Sequence, residues 1–174
     1  MKILVVVDMQ RDFIDGVLGT AEAQAIVPKV IEKINQYNAH NEPVIYTMDT
    51  HFEHSYPTTI EGQKLPVTHC IYGTYGWEIP PEIRMGSPDV IHKYSFGSTS
   101  LPERILRFMS HRDVTAVEII GLCTDICVIS NAMVLKTFVY EVPIIVDSSC
   151  CAGTTPESHQ RALDAMKMCH IDIV

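Results

Sequence analysis

Short aliphatic runs separated by helix-length segments recur along the whole chain, and this alternation limits its fold more than any other feature. Lys2-Ile3-Leu4-Val5-Val6-Val7 is apolar throughout after Lys2 and ends at Asp8, as expected of a parallel strand covered on both faces. Residues 21–38 then repeat apolar side chains at helical spacing (Ile26, Val30, Ile31, Ile34, Tyr37), with Pro28 expected in the first turn of the main helix. Residues 43–48 form a second run, followed by Asp49, and residues 89–93 a short third run ending at Lys93. A helix is expected from Ser100 to His111, with Pro102 near its start and Glu103 at capping-box distance from Ser100. Residues 114–120 and 142–146 read as further strands, the latter ending at Asp147. Thr155-Pro156-Glu157-Ser158 opens a helix to about Cys169, and residues 171–174 could close the sheet at its edge. The pattern predicts a three-layer α/β/α fold around a doubly wound, mostly parallel six-stranded sheet. No repeat or linker divides it, so residues 1–174 are expected to form one domain.

Gly121-Leu122-Cys123-Thr124-Asp125-Ile126-Cys127-Val128 lies between the strand of 114–120 and an apolar helix. Gly121 marks the turn, and Thr124 and Asp125 are N-cap candidates. Cys127 is thereby expected in the first turn of a helix at the carboxyl end of a strand. Free N–H groups and the helix dipole there favour a thiolate. The alternative is a small buried hydrophobe. Residues 50–88 interrupt the alternation with histidines, prolines and glycines, and a long irregular segment inside a compact domain usually carries function.

A net charge of −8 argues against nucleic acid or an anionic membrane as the main partner. The N-terminus is too short in apolar length and too soon charged for a signal peptide, and the cytoplasm is the expected compartment. The six cysteines therefore read as thiols rather than a disulfide framework.

Asp8, Lys93 and Cys127 each follow a strand, and right-handed crossovers bring those ends to one side of the sheet. A carboxylate, an ammonium and a thiol together form a nucleophilic set in which Asp8 relays a proton and Lys93 lowers the thiol pKa. Asp49 and His51, with His69 across the loop, offer a carboxylate and two imidazoles suited to zinc, iron or manganese. His54 or Glu61 could add a fourth ligand.

The segments Val7-Asp8-Met9-Gln10-Arg11-Asp12-Phe13, Asp49-Thr50-His51, His69-Cys70-Ile71-Tyr72-Gly73-Thr74, His92-Lys93 and Gly121 to Val128 occur in an order that resembles the isochorismatase-like cysteine hydrolases, in particular their nicotinamidase/pyrazinamidase branch. The resemblance implies a Rossmann-like hydrolase fold with Asp8, Lys93 and Cys127 as catalytic triad. It implies a non-proline cis peptide at Leu122–Cys123 and an oxyanion site from the backbone N–H groups of Cys123 and Cys127. It further implies that Asp49, His51 and His69 hold a divalent metal, zinc foremost, which engages a pyridine nitrogen within a metal and substrate loop at about 49–88. Phe13 and Leu122 are the expected substrate contacts. Relatives of this kind are commonly homo-oligomers. The expected reaction is hydrolysis of nicotinamide to nicotinate and ammonia through a Cys127 thioester.

The branch usually carries Trp-Pro-Pro-His where this chain has Leu65-Pro66-Val67-Thr68-His69. Tyr72, Tyr75 or Trp77 could replace the missing ring, or the substrate could be another small amide, such as an N-carbamoyl compound. A non-catalytic thiol or metal sensor on the same fold is the rival from outside enzymes, though a sensor has no need of a proton relay.

Overall fold

The computed structural model describes residues 1–85 and 88–174; Gly86, within the irregular segment, lies outside them. Six strands, β1 (Lys2–Val7), β2 (Val44–Asp49), β3 (Asp89–Lys93), β4 (Ala116–Leu122), β5 (Ile144–Ala152) and β6 (Asp172–Ile173), form one sheet in the order β3-β2-β1-β4-β5-β6. Every neighbouring pair is parallel. The order reverses between β1 and β4, and in such sheets ligands bind beyond the carboxyl ends of the strands at that switch.

The strands alternate their apolar side chains between two cores. On one face Ile3, Val5, Ile45, Val117 and Ile119 pack with α4 (Ser100–Met109), α5 (Ile129–Phe138) and α6 (Pro156–Met168). On the other, Leu4, Val6, Tyr46, Met48 and Ile120 pack with α1 (Arg11–Ile14), α2 (Ala21–Ala39) and Ile79 and Ile83 of the irregular segment. The expected three layers and six strands are therefore present. Among the described residues no helix is long and apolar enough to cross a membrane.

Several local expectations are corrected. The α2 helix starts at Ala21, capped by Thr20 Oγ1, so Pro28 lies in its interior rather than its first turn. Pro28 is on the exposed side, where water can take the carbonyl it leaves unpaired, while Ala23, Ile26, Val30, Ile34 and Tyr37 hold the inner face down. No capping box forms at α4, whose N-cap is Thr99, without a side-chain bond. The β4 strand runs on to Leu122, two residues past the expected end. The β5 strand passes through Asp147 to Ala152, with a register shift against β4 between Ile119 and Gly121. Gly121 sits at that shift with φ +118°, and a Cβ there would stand 2.1 Å from Val7 O. Only glycine permits so close an approach of β4 to β1.

One ion cluster ties α2 to the sheet. Lys33 Nζ lies 2.6 Å from Glu118 Oε1 on β4 and 2.8 Å from Asp147 Oδ2 on β5, and Tyr37 Oη donates to Glu118 Oε2 at 2.6 Å. Burial alone would raise the Asp147 carboxyl, but the bonds from Lys33 and Ser149 hold it below its ordinary range. Burial would likewise lower Lys33, and its two carboxylates hold it above. The depressed acid contributes stability above the unfolded carboxylate pKa of about 3.9 and loses it as pH falls. The raised base contributes below its unfolded pKa of about 10.4 and loses it as pH rises. Lys33→Met is expected to destabilise the fold by about 2 kcal/mol near neutral pH. In urea titrations its difference from wild type should shrink below about pH 3.

Candidate active site

The carboxyl ends of β1, β2, β3 and β4 meet at the switch point, and each delivers one chemical group. Asp8 follows β1 with φ +47° and is fully buried. Asp49 and Lys93 close β2 and β3 in matched register. Beyond β4, residues 124–128 form one π-helical turn before α5, and Cys127 lies in that turn rather than in the first turn of the α-helix.

Lys93 connects these groups. Its Nζ is 2.7 Å from Asp8 Oδ2, 3.0 Å from Asp49 Oδ1 and 3.4 Å from Cys127 Sγ, and it donates to Ser95 O at 3.2 Å. Lys93 thus pairs with Asp8 Oδ2, while Oδ1 accepts from Thr47 Oγ1 at 2.7 Å. Burial, opposed by Lys93 and reinforced by Asp49, raises the Asp8 carboxyl. Burial would depress Lys93, but Asp8, Cys127 and Asp49 hold it well above its ordinary value. Burial and then the Asp8 carboxylate push the Cys127 thiol well up, with Lys93 alone among the neighbouring charges pulling it down. Against the thiolate expected at a helix N-terminus stand burial and two aspartates, and for it stands Lys93, 3.4 Å from the sulfur.

The turn around Cys127 is held from outside. Thr124 and Asp125 do not cap the helix. Thr124 Oγ1 pairs with His159 Nδ1 at 2.8 Å, and Asp125 accepts from Thr154 N at 2.9 Å and from Thr154 Oγ1 at 2.5 Å. The Leu122–Cys123 peptide is cis. Ile126 N–H and Val128 N–H both bond Cys123 O, at 3.1 and 3.0 Å. Cys127 N–H does not share that acceptor, and Cys123 N–H has no acceptor among the described residues. The Cys123 thiol is pushed up to about 12, mainly by burial.

Asp49, His51, Glu61 and His69 present ligand atoms that all lie within 4.8 Å of one another. Asp49 Oδ2 is 2.8 Å from His51 Nε2 and 3.6 Å from His69 Nε2, and Glu61 Oε1 is 3.6 Å from both imidazoles. Ligands about 2.0–2.2 Å from one metal ion stand apart by a little over 3 Å at ordinary angles, so this set fits a divalent metal. His69 Nδ1 bonds Val67 O at 2.7 Å, which leaves Nε2 facing the group. Burial would lower His69, but Asp49 and Glu61 raise it to about 9. Burial would raise Asp49, yet both imidazoles and Lys93 hold it far below its usual range. Glu61, not the exposed His54, is the fourth member.

Distant segments meet here because the backbone is tied. His51 N–H bonds Cys70 O and Tyr72 N–H bonds His51 O, both at 2.9 Å, making a short parallel bridge. Gln10 clamps Asp49, accepting from its N–H at 2.7 Å and donating to its carbonyl at 2.9 Å. Asp12 Oδ2 accepts from Cys70 N–H at 2.7 Å and fixes the His69–Cys70 turn.

A cavity of about 880 Å³ opens over both groups, with Cys127, Asp49, His51, Glu61 and His69 in its wall and Phe13 and Leu122 beside them. Asp8 and Lys93 lie beneath it. Tyr72, Tyr75 and Trp77 do not line it: Trp77 Nε1 bonds Thr50 Oγ1 at 3.0 Å, Tyr72 packs on Trp77, and Tyr75 lies under Arg11. The additional rings come from Tyr94 and Phe96, just after Lys93. No spacing flags them; only their place next to Lys93 could have done so.

A carboxylate, an ammonium and a thiol are thus buried together at the switch point of a doubly wound sheet, where α/β enzymes bind their ligands. The chain belongs to the isochorismatase domain family, whose model matches residues 2–173, and it is a hydrolase. It is 25% identical to the nicotinamidase/pyrazinamidase of Mycobacterium tuberculosis, over 100% of this chain and 98% of that one. Among solved structures it resembles the pyrazinamidase of Pyrococcus horikoshii in complex with zinc (30% identity, TM-score 0.85, 99% and 98% of the two chains). It also resembles the N-carbamoylsarcosine amidase of Thermoplasma acidophilum (28% identity, TM-score 0.79, 99% and 94%).

Asn131, fully buried on α5, joins the Cys127 turn to the loop after Lys93. It donates to Cys127 O at 2.8 Å and Phe96 O at 3.1 Å and accepts from Ser98 N–H at 3.0 Å. Asn131→Leu strands three buried backbone groups and is expected to lower stability by about 3 kcal/mol, read from the urea midpoint.

Proposed function

We propose that the protein hydrolyses nicotinamide to nicotinate and ammonia, with Cys127 as nucleophile, Asp8 as general base and acid, and Lys93 as the fixed countercharge. The observation that carries this reading is the fully buried Asp8 carboxyl, raised by burial and paired at 2.7 Å with Lys93 Nζ, which also lies 3.4 Å from Cys127 Sγ. A carboxylate made more basic by a dry site is suited to take a proton and give it back.

The steps follow from that pairing. Asp8 takes the thiol proton as Cys127 Sγ bonds the amide carbon, and the carbonyl pair moves to oxygen. The N–H groups of Cys123 and Cys127 face the developing oxyanion. As the tetrahedral centre collapses, the C–N bond breaks and Asp8 returns its proton to nitrogen, releasing ammonia and leaving a thioester. Water then attacks the same carbon, giving a proton to Asp8. The C–S bond breaks, the proton on Asp8 returns to sulfur, and the product leaves as nicotinic acid, which ionises to nicotinate by giving its proton to solvent or to the released ammonia. Throughout, Lys93 keeps an ammonium against the sulfur and both aspartates, which lowers the cost of each negative intermediate.

Asp49, His51, Glu61 and His69 would hold a divalent ion, zinc foremost, and a Lewis-acidic ion bound there would engage the pyridine nitrogen and orient the ring. Lys93 touches both Asp49 and Cys127, so the two anchors are about one ring apart. Phe13 meets His69 edge-on with centroids 5.5 Å apart and offers a ring wall beside it. The likeness to an N-carbamoylsarcosine amidase raises a second substrate class, but an acyclic carbamoyl group has no ring nitrogen to engage, and the four donors would then be idle.

The test is ammonia release from nicotinamide by zinc-loaded protein. Turnover should disappear with a chelator and return with added metal. Cys127→Ala and Asp8→Asn should each lower kcat by about 10³-fold or more while the circular dichroism stays native. Near-normal turnover in either variant contradicts the mechanism, and absence of turnover in the wild type contradicts the substrate.

A further inference from the structure

We infer that the site takes, in addition to nicotinamide and in preference to it, pyridine carboxamides with an apolar substituent on the ring carbon opposite the edge joining the ring nitrogen and the amide; this rests on the reading above.

The two anchors, the four-donor group and Cys127, lie close together at the floor of the cavity. A ring that spans them with its nitrogen and its amide fills the floor alone, yet the cavity holds about 880 Å³. A volume near the upper end for small-molecule sites suits a ligand several times larger than one six-membered ring. The rest of the wall is mainly apolar: Leu18, Ile60, Leu65, Phe96 and Ile126, with Tyr94 at the mouth. Ile60 is 73% exposed, Tyr94 66% and Phe96 44%. Three large apolar side chains left open to water around one cavity mouth are accounted for if the bound ligand covers them. With nitrogen 1 and carbon 3 facing the floor, carbon 5 is the ring atom aimed outward, and a group attached there runs along Leu65, Ile60 and Phe96.

Leu65 controls how much room remains. It is half-buried, and its carbonyl accepts from Tyr56 Oη at 2.8 Å, which fixes the backbone while the side chain faces the cavity. An indole at this position would occupy the space assigned to the substituent.

The experiment compares kcat/KM for nicotinamide, 5-propylnicotinamide and 5-(2-carboxyethyl)nicotinamide with zinc-loaded wild type and Leu65→Trp. Burial of three carbons should raise kcat/KM for the propyl amide at least about tenfold over nicotinamide. Leu65→Trp should reduce that ratio to one or below. Calorimetric titration of zinc-loaded Cys127→Ala should give the same order of affinities without turnover. Hydrolysis of nicotinamide with the propyl amide equal or poorer overturns this inference and leaves the proposed reaction standing. Preference for the carboxyethyl amide also overturns it, because Lys64 at the cavity wall would then be the selecting group. If none of the three amides is hydrolysed, the proposed reaction falls and the inference falls with it.

Discussion

One buried ammonium holds the site together. Lys93 closes β3, two strands away from β1, yet its four-carbon stem carries Nζ across the end of β2 to Asp8, Asp49 and Cys127. The Asp49–Lys93 register makes this possible, since the two side chains leave adjacent strands at the same level. Two buried carboxylates against one ammonium leave the interior short of positive charge, and two ionised carboxylates in low dielectric are costly unless further cations or donors reach them. His51 and His69 answer that deficit at Asp49, and the upward shift of His69 to about 9 has the same origin. A divalent ion at the same four donors would answer it more fully. The room for a further cation at Asp49 and the charge balance around Lys93 thus have one origin, an excess of buried carboxylate.

The irregular segment gains its order from the loop after β1. Gln10 pairs both backbone groups of Asp49, and Asp12 pairs Cys70 N–H, so the chain following Asp8 brings Asp8 and the neighbours of the metal-competent residues together. Gly76 must stay small for this, since a Cβ there would lie 2.2 Å from Asp12 Oδ1. On the opposite side, Asn131 ties Cys127 O to the Phe96–Ser98 backbone that continues from Lys93. Each side of the crevice therefore has its own buried amide or carboxylate clamp. The site's geometry is set by backbone bonds more than by packing.

Much of this was legible in the residues. Aliphatic runs ending in Asp8, Asp49 and Lys93 gave the strand ends, because a strand covered on both faces must be apolar until it leaves the sheet. Cys127 and the Asp49, His51 and His69 set could be read from spacing and resemblance, and the structure gathers them in one crevice. Other features depend on contacts far apart in sequence. Thr124 and Asp125 look like caps, but His159 and Thr154 of the α6 end claim them. The choice of Glu61 over His54 is made by the short α3 helix (Ile60–Lys64), capped by Thr59, which turns Glu61 toward His69. Pro28 reads as a helix start by local rule, yet the inner face of α2 has enough apolar contact to carry the helix through it.

The ionisation of Cys127 sets local against global effects. A helix N-terminus and a lysine favour a thiolate when considered alone, and both sources of positive potential lie near Cys127. Burial and an aspartate on the same lysine act in the opposite direction. A permanently charged sulfur would make Lys93 serve three anions at once and leave none free to move a proton. In the proposed reaction, a proton kept on sulfur until substrate arrives would leave Asp8, held by Thr47 at one oxygen and by Lys93 at the other, to serve as the base. The same carboxyl would later protonate the departing nitrogen, a task for which a group raised by burial is better suited than an ordinary surface acid, which holds no proton at neutral pH. Burial of these three groups would then perform two tasks: it would defer formation of the thiolate, and it would give Asp8 the basicity to form it when the amide carbon is in reach.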